Sequence, residues 1–209
     1  MPLTRAHRLS SAAARVQRPL RYLFLEALLI ALGVALALLG QEWLQQRHER
    51  ALSHTALASI REELSQNREL IREAQEYHEA KMTLVRGHLG PDATPLPLEE
   101  FPRGFVAPAQ LFDVAWQTAR ETDALSHLPY GRVLELAKIY AAQESYRLQA
   151  ERSGELIYAD LYAIGARGIA QKPASLMSLL GAFVYRERAL LAEFDAGLPK
   201  ILEMDDPTD

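Results

Sequence analysis

Residues 22–39 read YLFLEALLIALGVALALL. At ~1.5 Å per residue, a helix over eighteen residues reaches ~27 Å, close to the hydrocarbon thickness of a bilayer. The run follows a tail carrying Arg5, Arg8, Arg15, Arg18 and Arg21 and no acidic residue, whereas Arg47 and Arg50 beyond it are offset by Glu42 and Glu49. Lys and Arg resist translocation, so the expected topology is a cytoplasmic tail (1–21), a membrane helix (22–40) and an exported remainder (41–209). Tyr22 and Trp43 sit where interfacial aromatics belong.

Two other readings of this end compete. Ala35-Leu36-Ala37 is an A-x-A pattern, as in a cleaved signal peptide, although the apolar run continues past it to Leu39. The acid-free, Arg- and Ser-rich tail also has the composition of a mitochondrial presequence.

Charge narrows the partners. The chain has 23 basic and 27 acidic residues, a net −4. Without the five tail arginines and Glu26, residues 41–209 hold 18 basic against 26 acidic, or −8. An acidic domain is a poor ligand for nucleic acid. With no cysteine, disulfides, thiolate catalysis and thiolate metal sites are excluded.

Within the span, Glu26 is an ionisable group about one turn inside the apolar run. It is placed to reach the interface or to pair with Arg18 or Arg21. Alternatively, Glu26, Gly33 and Gly40 recur every seven residues, with Ala37 four after Gly33. Small residues on one helix face let a second helix approach closely, and Glu26 then lies in the seam rather than in lipid. The expected partners are therefore the bilayer and either a protein subunit or a second copy.

The remainder reads as all-α, an exported bundle of about four helices with one short member. From Gln41 to about Leu89 no proline occurs, and no glycine before Gly87. Leu57, Ile60, Leu64, Ile71, Ala74 and Val85 recur at helical spacing, while Asn67, His78 and Lys81 interrupt the same stripe. A helix running out of the membrane without a break would couple the domain rigidly to the span, as a transmitter or a plain stalk does. Gly90 and Pro91 stop it. A Pro-rich loop (90–108) follows, with Phe101 and Phe105 either capping the core or forming a contact loop. A short helix is expected over Ala109–Thr122. A third opens after Pro129, carries Val133, Leu136, Ala137, Tyr140, Ala141, Leu148, Ala159, Tyr162 and Ala163 inward, and ends near Gly165 or Gly168. A fourth opens at Pro173 with the clearest stripe, Leu176 to Leu202, and an acidic tail (203–209) ends the chain.

No G-x-S-x-G, G-x-G-x-x-G, P-loop or H-E-x-x-H pattern occurs, and no histidine has a glutamate three residues before it. Glu76, His78 and Glu79 read as a solvated face rather than a metal site, because residues two apart diverge on a helix. Tyr140, Tyr146, Tyr158 and Tyr162 read as packing. The expectation is a non-enzymatic protein with no catalytic residue, cofactor or metal.

Three segments together resemble an uncharacterised bacterial family of small single-pass inner-membrane proteins: ALLIALGVALALLGQEW (27–43), ALASIREELSQNREL (56–70) and AWQTARETDALSHLPYGRVLELAKIYAAQESY (115–146). The corresponding elements are Glu63-Leu64 with Asn67, and Trp116-x-Thr118 followed by Leu136 and Tyr140. Where that family often has glycine before the connection, this chain has Asp123. The resemblance implies an inner-membrane anchor with a periplasmic helical domain and carries no activity. Replacing Gly33 and Gly40 by Leu is expected to abolish co-purification of any complex built through that helix face. Co-purification unchanged by both substitutions rules out docking there.

Overall fold

The computed structural model describes residues 13–90 and 94–203, with side chains from Tyr22 to Ile201 outside the 91–93 gap. Among them are four α-helices and no strand: α1 (Ala13–Arg86), α2 (Val114–Glu121), α3 (Tyr130–Ala170) and α4 (Pro173–Glu203). A single 3-10 turn, Leu98–Glu100, interrupts the segment between α1 and α2. The chain divides into two units, Met1–Ala51 and Leu52–Asp209. The arginine-rich tail through residue 12 and the acidic tail beyond Glu203 lie outside the described residues, as does Pro91.

In the first unit the helix is long and apolar enough to cross a membrane. Its side chains from Tyr22 to Leu44 are all exposed. The Arg47 guanidinium lies 4.7 Å from the centroid of the Trp43 ring.

The second unit is built on two seven-residue rhythms. On α1, Ser53, Ile60, Asn67 and Ala74 form one row, and Leu57, Leu64, Ile71, His78 and Val85 the other; all nine are buried. On α4, Leu176, Leu180, Phe183, Glu187, Leu190, Phe194 and Ile201 alternate in steps of four and three, with Gly197 completing the row. Such spacing keeps one stripe facing its neighbours along the whole helix. Leu136, Ile139, Tyr140 and Tyr146 of α3 and Ala119 of α2 join the same core. At Gly197 a Cβ would lie 2.7 Å from Ile139 Cδ1, so glycine lets α3 and α4 close there. A second cluster, Val85, Leu96, Phe101, Ala170, Leu176 and Leu180, lies where the Leu96 N–H donates to the Ala170 carbonyl at 3.1 Å.

Two sequence expectations are corrected. The short helix begins at Val114 rather than Ala109, because the backbone of 107–112 bonds to side chains of α1 and α3 instead of to itself. The later α3 residues expected inside, Leu148, Ala159, Tyr162 and Ala163, are exposed. As its glycines predict, α3 breaks at Gly165, which takes φ 70°, ψ 170°, a backbone state open to glycine, and a last turn ends at Ala170, two residues past Gly168.

Asp123 occupies the position where glycine was the alternative. Its φ is 58°, and the Ala124 N–H reaches back to the Ala119 carbonyl at 3.1 Å, the arrangement of a helix ended by a left-handed residue. Left-handed backbone strains any residue with a Cβ, least so Asp and Asn. Asp123→Gly is therefore expected to stabilise the protein by about 0.5–1 kcal/mol, the relieved strain outweighing glycine's greater unfolded freedom. Chemical unfolding in detergent micelles measures this; a loss of stability means that the Asp123 side chain itself holds the turn.

Candidate functional site

A helix has no spare backbone hydrogen bonds along its length, so a non-helical chain lying against it must be held by side chains. Residues 94–113 form such a strap, and α1 supplies the side chains. The Tyr77 hydroxyl donates to the Gly104 carbonyl at 2.6 Å. The Ala107 N–H donates to His78 Nε2 at 2.9 Å. Asn67 grips both backbone groups of Phe112, accepting its N–H at 2.9 Å and donating to its carbonyl at 2.6 Å. Glu63 Oε2 accepts the Ala115 N–H at 2.8 Å, capping α2, whose own N-cap Asp113 makes no side-chain cap. Beyond α2, Ser53 Oγ donates to the Ala124 carbonyl at 2.6 Å. As numbering rises along α1 it falls along the strap, so the two run antiparallel.

Behind these pins lies a buried polar network. Asn67 also donates to Gln143 Oε1 at 2.8 Å, and Tyr140 donates to Glu63 Oε1 at 2.6 Å. His78 Nδ1 lies 2.8 Å from Glu187 Oε1, which also accepts from the Tyr146 hydroxyl at 3.1 Å. Since Nε2 accepts an N–H, the ring proton must be on Nδ1, donated to Glu187. His78 and Glu187 are fully buried, and Glu187 Oε2 has no hydrogen-bond partner among the described residues. His78 thus lies in the core and not on the solvated face expected from its neighbours Glu76 and Glu79; its seven-residue register with Leu64 and Ile71 decides this. Burial, and then the carboxylates of Glu63 and Glu187 respectively, push the hydroxyls of Tyr140 and Tyr146 well above their ordinary value.

The strap also shapes the surface. Phe101 is buried and Phe105 half-buried, their ring centroids 5.1 Å apart. Phe105 and Ile157 of α3 line two neighbouring cavities. One, of about 440 Å³, extends over Tyr158 and Leu161; the other, of about 120 Å³, reaches Leu156. Of their α3 lining, Leu156, Tyr158 and Leu161 are exposed, Leu156 at 71%; Tyr162, which lines neither cavity, is 89% exposed. Tyr158 and Tyr162 therefore do not share the core with Tyr140 and Tyr146. A concavity of about 940 Å³ opens on another side, walled by Trp116 stacked on Tyr140 at 4.9 Å. Its ionic groups are largely engaged: Asp113 accepts from Gln117, and Arg147 pairs with Glu144 and Glu151.

The other candidates fall in the first unit. Glu26, Gly33, Ala37 and Gly40 are exposed on α1, with open space where a Cβ would stand at Gly33 and Gly40. The side chains of Arg18 and Arg21, possible partners of Glu26, lie outside those described. Among the described residues no group of three or more His, Asp or Glu is placed to hold a metal ion. No family model, curated protein or solved structure matches the chain.

Tyrosine ionisation tests the polar network. The unfolded chain gives up these phenol protons near the ordinary value of 10.0, while the folded chain keeps them. The native state then binds more protons, so stability falls as pH rises past that value. Of eight tyrosines, Tyr140 and Tyr146 are expected to give tyrosinate absorbance only as helix content is lost in alkali. Their ionisation with the helices intact would mean that the Glu63 and Glu187 contacts open without unfolding.

Proposed function

We propose that this chain is a non-enzymatic, membrane-anchored interaction module. The apolar run 22–39 serves as a single membrane span, with the arginine-rich tail in the cytoplasm and the helical unit on the periplasmic side of a bacterial inner membrane. The charge asymmetry around the run supports that orientation, and full exposure of its side chains within the chain supports lipid as its surroundings.

The observation that carries the interaction reading is the apolar surface on the second half of α3. Leu156, Tyr158 and Leu161 are exposed and line, with the half-buried Phe105 and Ile157, the two neighbouring cavities. Large apolar side chains gathered on a surface mark contact sites more often than accident, and tyrosines supply interface area at low entropic cost. The reading takes a protein as the occupant.

A second reading is an accessory subunit docked through Glu26, Gly33, Ala37 and Gly40, favoured by the open space at both glycines. Affinity purification of the full-length protein in mild detergent, with mass spectrometry and light scattering, separates the two. Leu156→Glu with Tyr158→Glu is expected to remove a stoichiometric partner while leaving helix content unchanged, since exposed substitutions cost little stability. A partner retained by this variant and lost from the Gly33→Leu, Gly40→Leu protein overturns the first reading in favour of the second.

A further inference from the structure

We infer that His78 is a proton-operated latch on the strap that carries Phe105. The inference rests, for its consequence, on the reading of the Phe105 and α3 surface as the docking site.

The ring makes two hydrogen bonds of opposite sense. Through Nδ1–H it donates to Glu187 Oε1 at 2.8 Å; through the Nε2 lone pair it accepts the Ala107 N–H at 2.9 Å. Protonation affects them unequally. The first becomes an ion pair with a buried carboxylate and strengthens. The second is abolished, because imidazolium Nε2 carries a hydrogen of its own and faces another donor. The ring stays anchored to α4 while the strap loses its attachment at Ala107, two residues from Phe105.

Among the described residues the ring makes these two hydrogen bonds, and its other neighbours are engaged elsewhere, apart from the second oxygen of the same Glu187 carboxylate. From α4 come Glu187, already on Nδ1, and the Phe183 ring at 5.1 Å. From α3 the Tyr146 hydroxyl is committed to the same Glu187 oxygen and accepts the Ala109 N–H at 3.1 Å. On α1, the Tyr77 ring lies 5.7 Å away, with Lys81 and Arg103 over it, and Tyr77 donates to the Gly104 carbonyl. Neighbouring Glu79 is held by Arg188 at the surface. Displacement of the strap between Gly104 and Ala109 answers this, because its chain there is not helical and, besides Ala107, is pinned at its two ends by Tyr77 and Tyr146. The attachment is therefore present while the ring is neutral and lost once it is protonated.

The test is hydrogen exchange of the full-length protein in detergent, corrected for intrinsic rates, over a descending pH series in which helix content is unchanged. Amides of 104–109 are expected to lose protection by about tenfold or more while α4 and the 57–85 part of α1 keep theirs. In His78→Gln, whose amide oxygen can accept the Ala107 N–H and does not titrate, protection is expected to be pH-independent. Glu187→Gln, which removes the charge favouring imidazolium, is expected to move the opening to lower pH.

Should the variants not fold, imidazole ¹⁵N shifts of the wild-type protein decide alone. The Nδ1–H tautomer at neutral pH, converting to imidazolium together with the loss of strap protection, supports the latch. Strap protection unchanged while the ring titrates, or opening while the ring stays neutral, overturns it. None of these readouts uses a partner, so they stand apart from the fate of the Leu156→Glu, Tyr158→Glu experiment.

Discussion

An extended segment packed on a helix has no backbone partners on that helix, and each amide left unbonded in the interior costs about 1–3 kcal/mol. This constraint organises the second unit. The strap after α1 crosses one side of the core, and Glu63, Asn67, Tyr77 and His78 supply donors and acceptors that a neighbouring β-strand would otherwise give. From Ser53 to His78 the pins span ~37 Å of helix at 1.5 Å per residue. The polar side chains among the buried rows of α1 are thus what fixes the strap's register, while the apolar ones supply non-directional burial.

The rhythm of the fold was legible in the sequence. Leu57, Ile60, Leu64, Ile71, Ala74 and Val85 face inward as their spacing requires, as do the α4 residues from Leu176 to Ile201. What was not legible is the strap. Asn67 and His78 looked like flaws in a stripe, because periodicity scores hydrophobicity and not the hydrogen bonds a buried polar group will find. The signal that could have found them is their placement in a seven-residue row: a polar residue there must have a partner. Glu187 sits in the α4 row in the same way. The start of α2 was misplaced for a related reason, since Ala109, Gln110 and Leu111 favour helix locally and lose to tertiary bonding at Ala109 and Phe112. Asp123 was flagged by position and explained by its left-handed backbone.

The surface follows from the pins. Bonds at Gly104, Ala107 and Ala109 bracket Phe105 and set it beside Ile157. Asn67 and Glu63 perform the same office for Phe112 and the start of α2, next to the Trp116–Tyr140 stack. Core chemistry and surface shape are thereby coupled. On the proposed reading, that coupling is how a module without catalytic groups can present different faces to a partner. Cross-helix pairs at the surface, Arg68 with Asp195 and Arg188 with Glu79, are exposed and add little to stability.

The pins also impose an order on biosynthesis. Most join α1 to chain made shortly afterwards, 27 to 52 residues on in the case of Tyr77, His78, Asn67 and Glu63 with the strap. The His78–Glu187 contact spans 109 residues. A nascent chain emerging from its N-terminus can lay the strap on α1 early, but the Nδ1 hydrogen of His78 finds its acceptor only when α4 arrives. Until then an imidazole destined for the interior faces water with half its bonds unmade, so α4, made after α2 and α3, completes α1.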